Sequence, residues 1–513
     1  MQKSLLNRIF KGVSLCFVAC VLHSCGMSME TTGANGTPIY YKPWMYDFGD
    51  EVTNPTTTIK IVTDGTVDLN SLNVEIPPLK YNKELLFLLS QDDSRHSTLC
   101  YTWAMLNGRP FGSDTRYEEE HAYFYHIEEL LFFDMYDHPY VMPSKTLGCT
   151  DGAGNEVRFN FTMTVMPFLG GFGVDHNYDI SSSTLLDNLY DSETKTRLVY
   201  KGNDSSISWN DVRYMANYGV GVSLHDADIP VTLVHDLPVI ARGLADIQEQ
   251  IADSLNGRGT KMLCEPNGNR SYLDAVLQNP NLGIKVLTAQ ENADLFLVPA
   301  QVHGDLDKST IFRDFRSFGA NKSWVDMCDN AMAIDFDNRP AVSIGVHGTC
   351  ASYVYTWFKG INDKYGKDGS DVIWMPSQEE YYEYNYYRQH AQIEKKIDGN
   401  TLELTVTLPT ENSFYYPATT LNLVGADMQH IVSIEADDVT TGMSYANYHA
   451  SYGDGVMINI DCRKFLIDLA RHYVENYYTK YQDGYIYNKW DAIYFTKMLK
   501  PGATRDYLLE LCQ

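Results

Sequence analysis

Two adjacent carboxylates, Asp92 and Asp93, stand in Gln91-Asp92-Asp93-Ser94, directly after the apolar run Leu85-Leu86-Phe87-Leu88-Leu89. Such a run suits a strand buried on both faces, as in a parallel sheet. Two acids at the end of that strand can divide the work. One binds a metal, and the other takes a proton from the metal-bound water. His225 lies at the end of a second short strand, in Leu224-His225-Asp226-Ala227-Asp228-Ile229-Pro230. A His among carboxylates has the surroundings of a metal ligand. His347 ends a third run, Ser343-Ile344-Gly345-Val346, from where an imidazole could protonate a leaving group. Cys264-Glu265-Pro266-Asn267-Gly268 forms a tight turn after a short apolar segment. Each signal also has a plain structural reading: paired Asp residues cap turns, and a strand-end His can simply bond backbone. Their shared place at strand ends is what joins them.

The elements that must position these residues alternate between residues 80 and 380. Strands are expected at 220–224, 231–235, 283–288, 294–299 and Ala341–Val346. Helices are expected at 238–255, 271–278 and 350–363. Ser208-Trp209-Asn210-Asp211 reads as a capping box opening a short helix that stops at Gly219. This alternation predicts an α/β fold with a parallel sheet, open or closed into a barrel. Residues 57–76 alternate apolar and polar about Asp64-Gly65, which predicts a hairpin. Residues 146–168 read as a β-rich insertion. After about residue 390 the pattern becomes β-rich, with a turn at Asp398-Gly399 and closing helices at Arg463–Lys480 and 487–499. The expected organisation is a leader at 1–25, a tether and small β region at 26–80, a barrel at 81–390 and a C-terminal β-rich domain at 391–513. The Tyr-rich run at 381–387 places tyrosines on one helical face, suited to packing against a barrel or to a glycan platform.

Composition bounds the function. The 513 residues are 44% hydrophobic and 21% charged, as in ordinary globular chains. A net charge of −26 repels phosphate backbones, so nucleic acid is not an expected partner. Lys3, Arg8 and Lys11 precede a short apolar stretch at 13–22 that is too short to span a bilayer. Leu22-His23-Ser24-Cys25 follows, which resembles a bacterial lipobox. An exported protein, lipid-anchored through Cys25 to the outer membrane on either face, is expected; a plain secretory signal is the alternative. Beyond Cys25 seven cysteines remain, with no CxxC spacing, and they read mostly as buried thiols.

Taken in order, these motifs resemble the polysaccharide deacetylase family, carbohydrate esterase family four. Leu89-Ser90-Gln91-Asp92-Asp93-Ser94 is similar to its Phe-Asp-Asp-Gly. Residues 220–230 are similar to its strand leading to His-Ser/Thr-x-x-His-Pro. Cys264–Gly268 loosely matches its Arg-x-Pro turn, and Ile344–His347 its final Leu-x-His. The resemblance spans roughly 80–390. It implies a distorted (β/α) barrel that hydrolyses N- or O-acetyl groups on a polysaccharide with one divalent metal, zinc or a related ion. It implies Asp92 as general base, His347 as general acid, Asp93 and His225 as metal ligands, and a substrate turn at Pro266, Asn267 and Gly268. The family's second metal His falls at Ile229, so Asp228, Asp226 or His96 would have to supply the remaining ligand. The family's Arg that orients the catalytic Asp falls at Cys264, and its Gly after the acid pair is Ser94. The alternative is a catalytically degenerate relative that binds glycan in the same groove.

Overall fold

The structure, a computed structural model, describes residues 47–48, 54–95, 97–109, 145–167, 207, 209–289, 312–318, 323–349, 351–480 and 486–513, with short backbone stretches between 113 and 201. The leader, Cys25, His96, Ser208 and the strand expected at 294–299 lie outside these residues.

A parallel sheet organises the chain. Its strands are β1 (Leu85–Gln91), β2 (Thr162–Val165), β3 (Gly221–Leu224), β4 (Met262–Cys264), β5 (Val286–Ala289), β6 (Phe312–Phe315), β7 (Ser317–Phe318), β8 (Val342–Val346) and β9 (Ile373–Trp374). The order is β6-β5-β4-β3-β2-β1-β8-β7, with β9 pairing the start of β1. β6 and β7 are one extended segment broken only at Arg316. The first half pairs β5 and the second half pairs β8. That single segment therefore joins the two ends of the sheet and closes a distorted barrel, the architecture expected from the alternation of elements.

Helices cover the outside: α1 (Trp209–Ala216), α2 (Leu237–Ser254), α3 (Arg270–Gln278), α4 (Trp324–Met332) and α5 (Ala351–Tyr365). Gly219, at φ +91°, ends the segment after α1, where only glycine adopts that conformation without strain. β1 is buried along its whole length, and its side chains alternate between two cores. Leu85, Phe87 and Leu89 pack with the helical layer. Leu86 and Leu88 point the other way, into a core shared with Met262, Val286 and helix α6 (Gln378–His390). Tyr381, Tyr382, Tyr384, Tyr386 and Tyr387 are all buried there, so the tyrosine run packs rather than presenting a platform.

Two antiparallel sheets and three helices, α7 (Leu466–Glu475), α8 (Ile486–Lys497) and α9 (Ala503–Leu511), complete the chain. The expected hairpin at 57–76 does not form. Thr56–Thr63 is a strand between Thr401–Thr407 and Ile431–Ala436, while Asn73–Glu75 pairs with Ala418–Val424 in the other sheet. The alternation was real, but long-range pairing claimed the two halves separately. Residues 231–235 are not a strand either. Val231–Leu233 is a single exposed turn after Pro230, and among the described residues no strand pairs with it. Thr162–Val165 belongs to the barrel, leaving only Gly148–Thr150 and Glu156–Arg158 as a hairpin in the region read as an insertion.

Candidate functional site

Asp92 follows the last residue of β1, and its amide donates to the Val346 carbonyl at the end of β8 at 2.8 Å. His347 is the next residue on that strand. His225 follows β3, and Glu265 to Gly268 follow β4. The sheet thus gathers four separate segments at its carboxyl end, where barrels of this type carry their chemistry.

The acid pair is held differently at each residue. Asp92 is 1% exposed, and its Oδ1 accepts from Arg316 Nη1 at 2.7 Å. Arg316 is wholly buried; the same nitrogen donates to Ser90 Oγ at 2.7 Å. The other Asp92 oxygen lies 3.9 Å from His225 Nε2. One oxygen is therefore anchored and the other faces the site. Sequence reasoning missed Arg316. Its signal was faint: an Arg between Phe315 and Phe318 in the short Phe-rich segment 312–318, where a buried charge needs a partner.

Asp93 sits at φ +70° and Ser94 at φ +48°, the left-handed region that non-glycine residues rarely enter. Ser94 stays there without the family's glycine because its Oγ donates to the Thr164 carbonyl at 3.1 Å and accepts from the Met166 amide at 2.8 Å. The turn presents the Asp93 carboxylate between two imidazoles. Oδ1 is 3.7 Å from His225 Nε2, and Oδ2 is 4.0 Å from His347 Nε2. Arg95 also reaches Asp93 Oδ2, at 3.0 Å from Nη2. Burial pushes the Asp93 carboxyl up, but the imidazole of His225 beside it, the hydrogen bonds from Arg95 and the charge of His347 outweigh it and hold it at about 2.

His225 is fixed from behind. Its Nδ1 stands 2.9 Å from the Cys264 carbonyl, which needs a proton on Nδ1 and turns Nε2 toward the two acids. Burial lowers its pKa, yet the charge of Asp92 and the nearby Asp93 carboxylate raise it above the ordinary value. His347 is open to solvent by comparison, with its side chain 51% exposed.

The remaining sequence-predicted residues are more scattered. Asp228 is exposed on the loop after β3. Asp226 is bound to the Tyr272 hydroxyl and to the Ala227 amide. Ile229 packs at the fringe of the helical core. Pro266–Gly268 is a tight turn with Asn267 at φ +53°, and the Glu265 carbonyl before it accepts from Arg316 at 3.5 Å. Asp93 and His225, an oxygen and a neutral-capable imidazole, are donor types that suit a divalent ion. A third protein donor is not assembled: among the described residues no group of three His, Cys, Asp or Glu is placed to hold one.

The barrel thus brings an acid pair after its first strand together with histidines that follow two later strands. The polysaccharide deacetylase family model matches residues 57–513, so the chain belongs to that family. The match extends well beyond the barrel and takes in both antiparallel sheets and the last three helices. No curated protein matches the chain. Membership makes this a deacetylase-like protein with polysaccharide as its substrate class.

Proposed function

We propose that the chain hydrolyses acetyl groups, N- or O-linked, on a polysaccharide bound across the carboxyl end of the barrel. The observation that carries this is Asp92, with one oxygen anchored on buried Arg316 and the other open toward His225. The free oxygen takes the proton of the water that attacks the acyl carbon. His347, exposed across the Asp93 carboxylate, gives a proton to the departing nitrogen or oxygen. Acetate leaves, and the sugar retains a free amine or hydroxyl. Asp93 and His225 are the residues that would hold a divalent ion, zinc or a related metal; when bound, such an ion polarises an acyl carbonyl and acidifies water.

The test is acetate release from an acetylated polysaccharide panel, with metal content measured on the same preparations. Asp92→Asn keeps an acceptor for Arg316 and should lower the rate by about 10²-fold or more. Acetate release unchanged in that variant would show that the base lies elsewhere. A second reading, a glycan-holding protein without turnover, is favoured by two observations. Ile229 stands where a ligand is needed, and Arg95 already neutralises Asp93. Under that reading, excess zinc leaves no stoichiometric metal on the purified chain.

We also infer that the chain acts outside the cytoplasm, tethered by lipid on Cys25. The supporting pattern is the basic, apolar and Leu-x-x-Cys succession at the N-terminus. Among the described residues no helix is long and apolar enough to cross a membrane. Radiolabelled fatty acid should enter the wild-type chain and not Cys25→Ala.

A further inference from the structure

The tyrosine run in α6 is buried, so a surface for sugar rings must be sought elsewhere. Three tyrosines are prominent among the exposed side chains: Tyr353, Tyr478 and Tyr507. Of these, Tyr353 has a ring backed by another aromatic ring. It is 44% exposed and stacks on Trp357 with centroids 5.2 Å apart and planes 18° apart. Trp357 stacks in turn on Trp324, at 4.2 Å and 15°. Trp324 is buried and leans on Phe87 of β1 at 5.5 Å. A ladder of four rings therefore runs from a barrel strand outward through two helices to the surface.

The direction of that ladder matters. In a barrel of alternating strands and helices, each helix begins near the carboxyl end of the strand before it. α5 begins at Ala351, four residues after His347. Tyr353, in its first turn, is the outermost rung, at the end of the helix that follows His347 in the chain. Its neighbour on the helix, Val354, is buried and fixes the rotation of that turn.

We propose that Tyr353 is a stacking platform for a pyranose ring of the polysaccharide next to the one being deacetylated. This rests on the proposed acetyl hydrolysis only for the identity of the polymer. A sugar ring presents a face of C–H groups, and a flat aromatic with a polar edge covers that face while its hydroxyl stays wet. The ladder behind the ring removes most of its freedom before binding, so little ordering cost remains at association. An exposed aromatic without such backing would have to be immobilised by the ligand itself.

The probes are the N-acetylglucosamine pentamer and an acetylated xylan oligosaccharide of similar length. Intrinsic tryptophan fluorescence reports binding directly, because Trp357 lies against the proposed platform. The full chain should bind one of the two with a saturable fluorescence change. Tyr353→Phe should retain it. Tyr353→Ala should weaken the dissociation constant about tenfold and lose most of the change. Its melting temperature should match wild type, since the ring is half out of the core. Unchanged affinity in Tyr353→Ala, or no saturable binding of either oligosaccharide, overturns the platform. Its failure is separable from failure of the hydrolysis. Tyr353-dependent binding without acetate release leaves the platform standing and removes the chemistry; acetate release with Tyr353-independent binding does the reverse.

Discussion

Asp92 and Arg316 form a pair that water scarcely reaches. Such a pair is costly to break on one side, because the surviving charge is left buried and uncompensated. Arg316→Ala should lower unfolding free energy by about 3–5 kcal/mol, read from urea denaturation. A loss below about 1 kcal/mol would mean that the carboxylate finds another partner. At this scale the acids and histidines were legible in the sequence. Asp92, Asp93, His225 and His347 all follow runs of apolar residues, and such runs betray buried strands. Arg316 was not, since nothing local distinguishes it from any strand-borne Arg. Its partner lies 224 positions away. Ser94 shows the same limit. The missing glycine looked like a defect, and only the contacts of its hydroxyl with Thr164 and Met166 reveal how the turn holds.

The C-terminal helices are tied to the barrel by a buried carboxylate. Asp491 of α8 accepts from Arg109, from Arg158 Nη1 at 2.6 Å and from the Tyr218 hydroxyl at 2.7 Å. Leu466, Tyr473 and Phe495 share one core with β1 and β3 side chains. Asp491→Ala would remove the carboxylate that two buried guanidinium groups share and should cost about 3–5 kcal/mol, seen as a single lowered transition. Two separate transitions would instead show that the helices melt alone. Helices α2, α3 and α5 and the strands β1, β3 and β8 were well placed, because each is a local pattern, whereas α4, α9 and the closing segment 312–318 were not read. The hairpin at 57–76 was misplaced because strand pairing is decided by partners more than 300 residues distant, such as Thr407 for Thr56. The turn at Val231–Leu233 was misread because β-branched residues suggest a strand even where the backbone turns.

Charge acts on the molecule as a whole. Glu156 is pushed up by burial, but Arg158 and Lys367 outweigh this and bring it below the ordinary 4.5. A carboxyl whose folded pKa is depressed binds a proton more readily after unfolding. Its contribution is therefore complete above about pH 4.5 and lost as the pH falls further. Between pH 6 and pH 3 the wild-type chain should lose more urea resistance than Glu156→Gln. Equal losses would show that the Arg158 and Lys367 contacts contribute nothing to folding.

The ring of strands is completed by one segment that changes neighbours at Arg316, and the residue that receives Arg316 is the proposed base. The same acid is thus a latch on the ring and a reagent at its mouth. A relative that had stopped releasing acetate would still need the latch. Selection for a closed ring would preserve the acid through the loss of turnover, so its survival in a lineage is a poor witness to catalysis. Ligands free of such double duty, such as the position held by Ile229, are where the loss would be written first.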